Sequence, residues 1–358
     1  MGINRRKFLK GAAVTAAAST VFSPHSFAQS GNVRWRCASS FPKSLDTIFG
    51  GASTVADRVA AMTDGKFQIR AYEAGELVPG LQVLDAVQQG TVECGHTCGY
   101  YFVGKDATLG FATSVPFGLS VTEQNAWMYH GGGMALLREV YGQFGVINFP
   151  AGNTGAQMGG WWKQEVKTAA QLRGKKVRIP GLGGQVMAKL GANVQVIPGG
   201  EIYLALDRGA IDAAEWVGPY DDEKLGLHKA AKFYYYPGWW EPGPNVDFIV
   251  NQKQYNALPK AYREILATAC AEANVTMMAE YDAKNQAALV RLQRGGTQLR
   301  RFSNDILSAA NKATQELHAE NAAKNARYKK VYTQWNGFRA SVRNWHQVNE
   351  KAMMDFKS

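Results

Sequence analysis

The chain has 358 residues, of which 46% are hydrophobic, and a formal net charge of +11. This length exceeds what one hydrophobic core comfortably holds, so we expect two lobes. Beyond the N-terminal segment, no run of residues approaches the roughly 20 apolar residues that a membrane-spanning helix needs.

The N-terminal residues have the pattern of an export signal. Two arginines at positions 5 and 6 precede Lys7-Phe8-Leu9-Lys10, an apolar run over residues 11–22 and the small-x-small sequence Ser26-Phe27-Ala28. This arrangement resembles a twin-arginine signal peptide, whereas a basic amphipathic helix would be less rich in Ala and Thr. We predict that residues 1–28 are removed and that a soluble periplasmic protein starts near Gln29. Because residues 1–28 hold four basic and no acidic side chains, the net charge falls to about +7.

The next segment alternates between strand and helix patterns. Residues 33–37 and 67–71 alternate with a period of two, as strands do, whereas residues 48–62 place their apolar side chains on one helical face. A second helix is predicted over residues 81–90, where Gly90 ends it. This β-α-β-α order predicts a mostly parallel sheet that helices cover on both faces.

The four cysteines are Cys37, Cys94, Cys98 and Cys270. Export would bring them into an oxidising compartment. Cys37 belongs to a strand pattern and is predicted to lie in the core. Cys94 and Cys98 are close in the sequence, so a disulfide between them is the one pairing to test. Two such cysteines are too few for a zinc or iron–sulfur site without further clustered ligands.

The most informative stretch covers residues 177–225. Arg178 stands at the end of a short apolar strand, and Glu215 and Trp216 stand at the end of another. Ligands of open α/β folds bind beyond the carboxyl ends of strands, and an arginine there can pair with a carboxylate through two parallel hydrogen bonds. Glu215 would repel that same anion unless a cation lay between them. Taken singly, Arg178 fits a strand-end salt bridge equally well, and Glu215 fits a solvated carboxylate better than a metal ligand.

A weak internal repeat supports two lobes. Residues 87–94 match residues 206–213 at an offset of 119 positions (206 minus 87), and both have the pattern of a helix end, a glycine cap and a buried strand. Such junctions also look alike in unrelated α/β proteins, which is the alternative explanation. If the repeat is real, the two strand ends face each other across a cleft with His96 opposite Glu215. A structural histidine is the simpler account of His96.

The C-terminal part is predicted to be mainly helical. Residues 233–244 are rich in aromatics and proline and predict a crossover strand followed by a stiff loop, which holds Glu241. A helix is expected from Pro259 to Arg294, a strand over residues 298–302, and a helical arm beyond it. Much of the positive charge lies after Arg291 among acidic and apolar residues. A nucleic-acid surface is one interpretation, but a solvated helix face fits the spacing and the predicted export better, so no nucleic-acid partner is expected.

Several of these motifs together resemble one protein family. They are the export signal, Arg178-Ile-Pro-Gly, Pro198-Gly-Gly-Glu-Ile-Tyr and Ile211-Asp-Ala-Ala-Glu-Trp-Val-Gly-Pro-Tyr-Asp-Asp. In this combination the mature chain resembles the solute-binding subunits of tripartite ATP-independent periplasmic (TRAP) transporters, the DctP-like family. It is most similar to the subgroup that binds 2-oxo and 2-hydroxy monocarboxylates such as pyruvate and lactate. The resemblance implies an α/β, two-lobed periplasmic-binding-protein-like fold with a ligand cleft between the lobes and a long helical C-terminal arm.

The resemblance also implies roles for individual residues. Arg178 would pair with the carboxylate of the ligand. Gln157, Glu215 and the main-chain carbonyl of Trp216 would hold a sodium or calcium ion against the ligand, and Gln157 and Trp216 would contact the substrate as well. Oxygen donors of this kind suit a hard cation and not zinc or copper.

Three further placements follow from the same resemblance. Glu241 is predicted as an additional metal ligand, and Tyr100 and Asn153 are predicted to bind the substrate. The segment around Gln157, residues 151–162, resembles the corresponding loop of the subgroup well. No catalytic residue is expected, because the family binds and does not transform its ligand.

The resemblance further implies an arrangement of domains and partners. Residues 29–152 with about 242–282 would form lobe I, residues 153–241 with part of 283–330 would form lobe II, and residues from about 303 to 358 would form the arm. The protein would deliver its ligand to the membrane permease subunits of a TRAP transporter. The arm could exchange with a second copy in a homodimer.

An exported, cofactor-dependent oxidoreductase is the alternative function, because the twin-arginine route often carries such enzymes. The sequence does not favour it. Residues 181–186 begin like a dinucleotide-binding fingerprint, but Val186 occupies the third glycine position. They instead predict a helix N-terminus whose amides help to hold an anion near Arg178. The sequence His130-Gly-Gly-Gly mimics an esterase loop, but the chain has no Gly-x-Ser-x-Gly partner for it.

Overall fold

The computed structural model describes residues 32–356, and within them eleven strands form two mixed sheets. The predicted signal peptide lies outside the described residues. The strands are β1 (Val33–Ser39), β2 (Phe67–Tyr72), β3 (Cys94–Thr97), β4 (Val146–Asn153), β5 (Trp161–Trp162), β6 (Lys176–Arg178), β7 (Asn193–Gln195), β8 (Ala213–Ala214), β9 (Phe233–Tyr236), β10 (Asn245–Asn251) and β11 (Gln298–Arg301).

Fourteen α-helices accompany these strands in the described range. They are α1 (Asp46–Met62), α2 (Val83–Gln89), α3 (Gly110–Thr113), α4 (Val121–Tyr129), α5 (Gly133–Gly142), α6 (Gly181–Lys189), α7 (Gly199–Asp207), α8 (Pro219–Lys224), α9 (Leu227–Ala230), α10 (Gln252–Ala257), α11 (Lys260–Arg294), α12 (Asn304–Lys324), α13 (Ala326–Val348) and α14 (Glu350–Asp355). Short 3₁₀ helices cover Gly80–Gln82, Gly99–Phe102, Ala107–Leu109 and Ala169–Leu172. No helix among residues 32–356 combines the length and apolar character needed to cross a membrane.

The first sheet has the strand order β2-β1-β3-β10-β4. Strand β1 runs parallel to β2 and β3, as the β-α-β-α pattern predicted. Strand β10 runs antiparallel to both β3 and β4, so β4 has the same direction as β1, β2 and β3. The expectation of a mostly parallel sheet is therefore confirmed, with one antiparallel strand among these five. All seven residues of β10 are buried, and a continuous buried run is compatible with either direction.

The second sheet has the order β11-β9-β5-β8-β6-β7. Strand β6 pairs in parallel with β7 and β8, whereas β5 is antiparallel to β8 and β9. The register places Arg178, the last residue of β6, beside Ala214, the last residue of β8. The side chains that follow these two strand ends therefore start next to each other.

The internal repeat corresponds to two equivalent junctions. Gly90 ends α2 ahead of β3, and Gly209 follows α7 ahead of β8; both glycines have φ of 74°, a left-handed conformation that L side chains rarely adopt. Each junction delivers a strand to the middle of its sheet. The chain therefore enters β3 and β8 through the same type of helix–glycine–strand junction.

Helix α11 spans 35 residues and contacts both halves of the fold. It packs on α1 and β4 of the first half and on α8 of the second. Between the sheets the chain crosses over residues 154–160 and returns over residues 237–244. These two crossing segments carry Gln157 and Glu241.

The C-terminal residues are helical, as predicted for the arm. Helix α12 packs on α6, and α13 packs on α4 and α5. Tyr328, Val331 and Trp335 are the buried residues of α13. The last part of the arm leaves a set of large apolar side chains exposed: Trp345, Val348, Met353, Met354 and Phe356.

All four cysteines are buried and free, so the disulfide between Cys94 and Cys98 does not form. Cys94 begins β3, and Cys98 follows the end of that strand in an extended conformation. Four residues of extended chain separate two Cα atoms by roughly 13 Å, whereas a disulfide needs them within about 7 Å. The actual neighbour of Cys94 is Cys37, its cross-strand partner in β1.

Candidate functional site

Arg178 is buried at the end of β6, with 1% of its surface exposed. Its Nε donates to the main-chain oxygen of Ile197 at 3.1 Å, and its Nη1 donates to the main-chain oxygen of Glu215 at 2.9 Å. The same Nη1 forms an ion pair with the Glu215 carboxylate. The guanidinium lies over the ring of Trp216, with Cζ 5.2 Å from the ring centroid. Nη2 is buried and has no hydrogen-bond partner among residues 32–356.

Three buried side-chain oxygens of predicted site residues also lack partners within the described chain. They are Oε1 of Gln157, Oε2 of Glu215 and Oε2 of Glu241. All three side chains are buried. A buried polar atom without a partner costs roughly 1–3 kcal/mol, so native proteins rarely keep several close together without a reason. The arrangement leaves one strong donor and three oxygen acceptors available to further groups.

Main-chain hydrogen bonds bring these oxygens together. The amide of Gln157 donates to the carbonyl of Glu241 at 3.0 Å, and the amide of Gly238 donates to the carbonyl of Gln157 at 2.9 Å. The amide of Met158 donates to the carbonyl of Val217 at 3.0 Å. At Gly238 a Cβ atom would lie 2.6 Å from the Gln157 oxygen, so only glycine allows this approach. The two crossing segments and the residues after β8 are therefore joined at the site.

A small cavity of about 10 Å³ lies among these segments, which is room for about one water-sized sphere. Both halves of the fold and the crossing segments contribute to its walls. The lining residues are Ile48, Cys98, Tyr100, Tyr101, Thr154, Gln157, Trp216, Val217 and Pro244. The residues after β3 thus meet the residues after β8, as the internal repeat predicted. Arg178, Glu215 and Glu241 are not wall residues; Arg178 and Glu215 contact each other and lie next to Trp216, which is one.

Tyr100 lines the cavity and covers the start of α6. Its ring packs against Gly181, where an added Cβ would lie 2.5 Å from the ring. Gly181 has φ of 66°, so the turn from Arg178 into α6 depends on a glycine at this position. The predicted helix N-terminus near Arg178 is present, and Tyr100, from the first half of the fold, packs against it.

Asn153, predicted to bind the substrate, and His96, for which a structural role was the simpler account, both make contacts within the protein. The side chain of Asn153 does not line the cavity: its Nδ2 donates to the carbonyl of Gly243 at 3.2 Å, and its Oδ1 accepts from the amide of Gly155 at 2.9 Å. Asn153 thus holds the start of one crossing segment to the other. His96 also lies away from the cavity, in the core, with its ring edge-on to Phe41 at 5.4 Å. Burial lowers the pKa of His96 to about 4.

Sequence reasoning missed several cavity residues. Cys98 and Tyr101 flank Tyr100, so the strand-end argument could have included them. Ile48 in α1 carries only the signal of a core-facing helix, and nothing in the sequence separates it from its neighbours. Thr154 and Val217 adjoin predicted residues but have no pattern of their own. Their role depends on how the two halves meet.

Burial dominates the electrostatics of the site. It raises the pKa of Glu215 to about 7, although the positive charge of Arg178 acts in the opposite direction. It raises the pKa of Glu241 well above its usual range, and the nearby charge of Glu215 adds to this effect. One cation and two carboxyl groups therefore share a region from which water is largely excluded. Further positive charge would favour the ionised form of both acids.

The available donors fit a hard cation. No group of three or more His, Cys, Asp or Glu side chains in the described range could hold a metal ion. The predicted set has two carboxylates and completes them with the amide oxygen of Gln157 and the main-chain carbonyl of Trp216. Carbonyl, amide and carboxylate oxygens are the ligands of calcium and similar ions. The unpartnered oxygens of Gln157, Glu215 and Glu241 supply this chemistry.

Comparison with known proteins identifies the family to which the chain belongs. Residues 38–325 match the profile of the bacterial extracellular solute-binding protein family 7, DctP, and residues 2–22 match that of the twin-arginine translocation pathway signal sequence. The chain is 60% identical, over 362 residues, to the monocarboxylate 2-oxoacid-binding periplasmic protein of Nostoc sp. strain PCC 7120. That match covers 99% of each chain.

Solved structures agree with this assignment. A TRAP transporter solute-binding protein from Bordetella bronchiseptica RB50, a mixed-occupancy dimer with copurified calcium and picolinate, is 46% identical with a TM-score of 0.90, and the match covers 91% of this chain and 97% of that one. A TRAP periplasmic solute-binding protein from Pseudoalteromonas atlantica T6c, with bound sodium and pyruvate, is 41% identical with a TM-score of 0.88, covering 91% and 100%. The two sheets with a cavity between them, the export signal and these matches lead to one conclusion: the chain belongs to the DctP family of periplasmic TRAP-transporter solute-binding proteins.

Proposed function

We propose that this protein captures a small 2-oxo or 2-hydroxy monocarboxylate together with a sodium or calcium ion and delivers it to a TRAP membrane permease. One observation carries the proposal. Around the cavity, one guanidinium nitrogen and three side-chain oxygens are buried without partners among residues 32–356. A carboxylate supplies the acceptor that Arg178 lacks, and a cation supplies the positive charge that the three oxygens lack.

The relatives support the same ligand chemistry. The Nostoc protein is named for monocarboxylate 2-oxoacids, the Bordetella protein holds calcium with picolinate, and the Pseudoalteromonas protein holds sodium with pyruvate. Pyruvate and picolinate share a carboxylate next to a second donor atom, an oxygen or a ring nitrogen. Such a pair can chelate one cation.

In this proposal the second half of the fold supplies the charged contacts. Arg178 binds the carboxylate through its free Nη2. Gln157, Glu215, Glu241 and the main-chain carbonyl of Trp216 hold the cation, which supplies Lewis-acid contact to the ligand oxygens. Gln157 and Trp216 also contact the substrate, because both line the cavity.

The first half supplies uncharged contacts. Tyr100 lines the cavity and contacts the substrate. Asn153 is proposed as a further substrate contact, and its hydrogen bonds with Gly243 and Gly155 support a second role in holding the crossing segments in register. Closure of the two halves then excludes water, which strengthens the charged interactions.

The charges explain why a cation is needed. Arg178 alone cannot neutralise Glu215, Glu241 and an incoming monocarboxylate. A divalent cation balances this set, whereas with sodium one of the two glutamates keeps its proton. Both situations are compatible with carboxyl groups whose pKa values burial has raised.

Calorimetric titration of stripped and refolded protein with pyruvate, with and without calcium and sodium, tests the proposal. We expect binding that requires one of the cations and that acetate, which lacks the 2-oxo group, does not reproduce. Binding without any cation would remove the metal from the site. No binding of pyruvate, lactate or related short acids would overturn the proposed function.

We also propose that the protein is a receptor and not an enzyme. The family consists of solute-binding proteins. The buried groups at the site are suited to holding an anion and a cation, and no observation favours the oxidoreductase alternative. A redox cofactor copurified in stoichiometric amount from the native host would contradict this part of the proposal.

The domain boundaries and the homodimer are also proposals. The chain crosses between the sheets over residues 154–160 and 237–244, which supports the boundaries near residues 153 and 241 for the two lobes. The exposed apolar residues at the end of the arm, from Trp345 to Phe356, are suited to a second copy, and the Bordetella relative is a dimer. Light scattering of the wild type and of Met354→Lys tests the dimer, because the charged side chain should leave a monomer.

A further inference from the structure

Two adjacent carboxyl groups, Asp221 and Asp222, are buried at the start of α8 and have no place in the site as described so far. Both are almost completely inaccessible to solvent. Their hydrogen-bond partners are neutral groups. Buried carboxyl groups without a cation are costly, so they are kept where their hydrogen bonds serve a purpose.

Asp221 holds the side chain of Trp216. Its Oδ2 accepts from Nε1 of Trp216 at 3.3 Å and from the hydroxyl of Tyr281 at 2.7 Å. Tyr281 belongs to α11, the long helix that contacts both halves of the fold. The indole that lies under the Arg178 guanidinium is thereby tied to the most extended element of the molecule.

Asp222 holds the main chain one residue further on. Its Oδ1 accepts from the amide of Val217 at 3.2 Å. Its Oδ2 accepts from Nε1 of Trp161 at 2.9 Å and from the hydroxyl of Tyr234 at 2.7 Å. Trp161 and Tyr234 stack on each other in β5 and β9, with ring centroids 4.0 Å apart. Val217 is thus fixed to the middle of the second sheet.

Trp216 and Val217 both line the cavity, and Asp221 and Asp222 do not. The two carboxyl groups therefore touch the site only through these neighbours. We propose that Asp221 and Asp222 are positioning residues for ligand and cation binding: Asp221 orients the Trp216 ring between Arg178 and Phe41, and Asp222 fixes the main chain that presents the Trp216 carbonyl. This inference rests on the proposed function, because it concerns the same ligand and cation.

The two positions differ in whether an asparagine can preserve the hydrogen bonds of the aspartate. At Asp221 both donors approach Oδ2, and Oδ1 has no partner in the described chain. An asparagine can place its single oxygen at the Oδ2 position and keep both hydrogen bonds. At Asp222 obligate donors approach both oxygens, the Val217 amide on one side and the Trp161 indole on the other. In either orientation an asparagine there turns its NH₂ group towards an N–H.

Pyruvate affinity in saturating calcium, measured by calorimetry for a set of variants, tests the proposal. Asp221→Ala should weaken binding by about tenfold or more, because it removes the acceptor that holds the Trp216 indole and the Tyr281 hydroxyl. Asp221→Asn should recover most of that loss. Asp222→Asn should weaken binding clearly more than Asp221→Asn does, although the two changes are chemically identical and adjacent.

A control separates positioning from general stability. Asp106 is also a buried carboxyl group; it accepts from the Thr108 amide at 2.9 Å and from Asn325 at 3.2 Å, it pairs with Arg327, and none of these partners lines the cavity. Asp106→Ala should lower the melting temperature of the ligand-free protein but keep the pyruvate affinity. If Asp221→Ala does not fold, Tyr281→Phe removes one donor to Asp221 at a distance from the cavity and should weaken binding severalfold.

The outcomes distinguish two failures. Wild-type protein that binds neither pyruvate nor calcium would overturn the proposed function. Wild-type binding with unchanged affinity in Asp221→Ala and Tyr281→Phe would overturn the role of Asp221 alone. Equal affinities of Asp221→Asn and Asp222→Asn would overturn the assignment of separate hydrogen-bonding tasks to the two residues.

Discussion

The two sheets contribute to the site in different ways. In the first sheet, β1, β2, β4 and β10 have six to eight residues each. In the second, β5, β6, β7 and β8 have two or three. The ion pair of Arg178 and Glu215 follows the short strands. The first half adds uncharged walls: Ile48, Cys98, Tyr100 and Tyr101.

This difference suggests that the two halves of the fold have different roles in binding. Short strands bring their ends, and the loops that follow, close to the centre of the second half, where charged side chains can meet. Long strands with continuous cores make a stable surface that can close over them. If the proposed function is correct, charge recognition depends on the second half, whereas exclusion of water and selection by size depend on the first. The following predictions test that division.

The largest effect is expected at Arg178. Arg178→Ala should weaken pyruvate binding by more than about tenfold, because a charge-assisted contact is lost and Glu215 is left buried without its partner. Arg178→Lys should recover only part, since an ammonium group lacks the planar fork. Calorimetric dissociation constants for the three proteins check this. Equal affinity of the wild type and Arg178→Ala would exclude Arg178 from the site.

A second large effect is expected at Glu215. Glu215→Gln should weaken the binding of cation and ligand together, because each ligand must stabilise the binding of the other by the same factor. Glu93→Gln is the matched control: Glu93 also pairs with an arginine, Arg36, but far from the cavity. Calcium titrations of both variants, with and without pyruvate, measure how strongly each ligand stabilises the binding of the other. Unchanged calcium dependence in Glu215→Gln would place the cation elsewhere.

The pH dependence of binding should be of intermediate size. Burial holds the pKa of Glu215 at about 7 in the ligand-free protein, and a cation requires the ionised carboxylate. Binding therefore releases a proton below pH 7, so affinity should rise from pH 5.5 to 7, and the ionisation of Glu241, whose pKa is also raised, adds to this rise. The limit is about tenfold per pH unit for each proton released. Affinity that falls over this range would contradict the assignment of Glu215 as a cation ligand.

Stability of the ligand-free protein should change with pH in the opposite direction. Burial raises the pKa of Asp221 and Asp247 to about 7 and that of Asp222 to about 6. The unfolded chain releases these protons near pH 4, so the folded state binds more protons between pH 4 and 7, and stability falls as pH rises through that window. Melting temperatures at pH 5.5, 6.5 and 7.5 measure this. A steady rise over that range would be inconsistent with these carboxyl groups staying protonated.

The smallest effect is expected at Ile48, an uncharged residue of the cavity wall. Ile48→Ala should weaken pyruvate binding only a few-fold and should improve the relative affinity for longer 2-oxoacids, because one methylene in a hydrophobic pocket changes selectivity by about 1–3 kcal/mol. Competition between pyruvate and 2-oxovalerate for the wild type and for Ile48→Ala measures the ratio of the two affinities in each protein. An unchanged ratio would mean that Ile48 does not limit the length of the ligand.

The sequence predicted the second half of the site better than the first. Arg178 and Glu215 stand at strand ends within motifs that resemble a family, so both their place and their chemistry follow from local pattern. Ile48 could not be predicted, because its contact with the cavity depends on how the two halves meet. The role of Asn153 stays a prediction for a related reason: a polar side chain at a strand end can bind the ligand or the chain itself, and its hydrogen bonds here join the two crossing segments.

The direction of β10 was not predicted from the sequence. Its residues are buried on both faces, and such a run has no alternation from which a direction could be inferred. The chain enters β10 from a crossing segment and not from a helix of the same sheet, and this makes the antiparallel pairing with β3 and β4 available. Local pattern determines whether a strand forms, whereas the path of the chain determines which way it runs.

The burial of all four cysteines has a consequence for the timing of maturation. Thiol–disulfide exchange needs an accessible thiolate, and burial raises the pKa of Cys94, Cys98 and Cys270 well above the usual range of a thiol. The completed fold therefore shields its sulfur atoms from periplasmic oxidants. Oxidation is a hazard mainly before folding, when Cys37 and Cys94 are not yet enclosed between neighbouring strands. A chain that finishes folding before it meets an oxidising environment avoids that hazard.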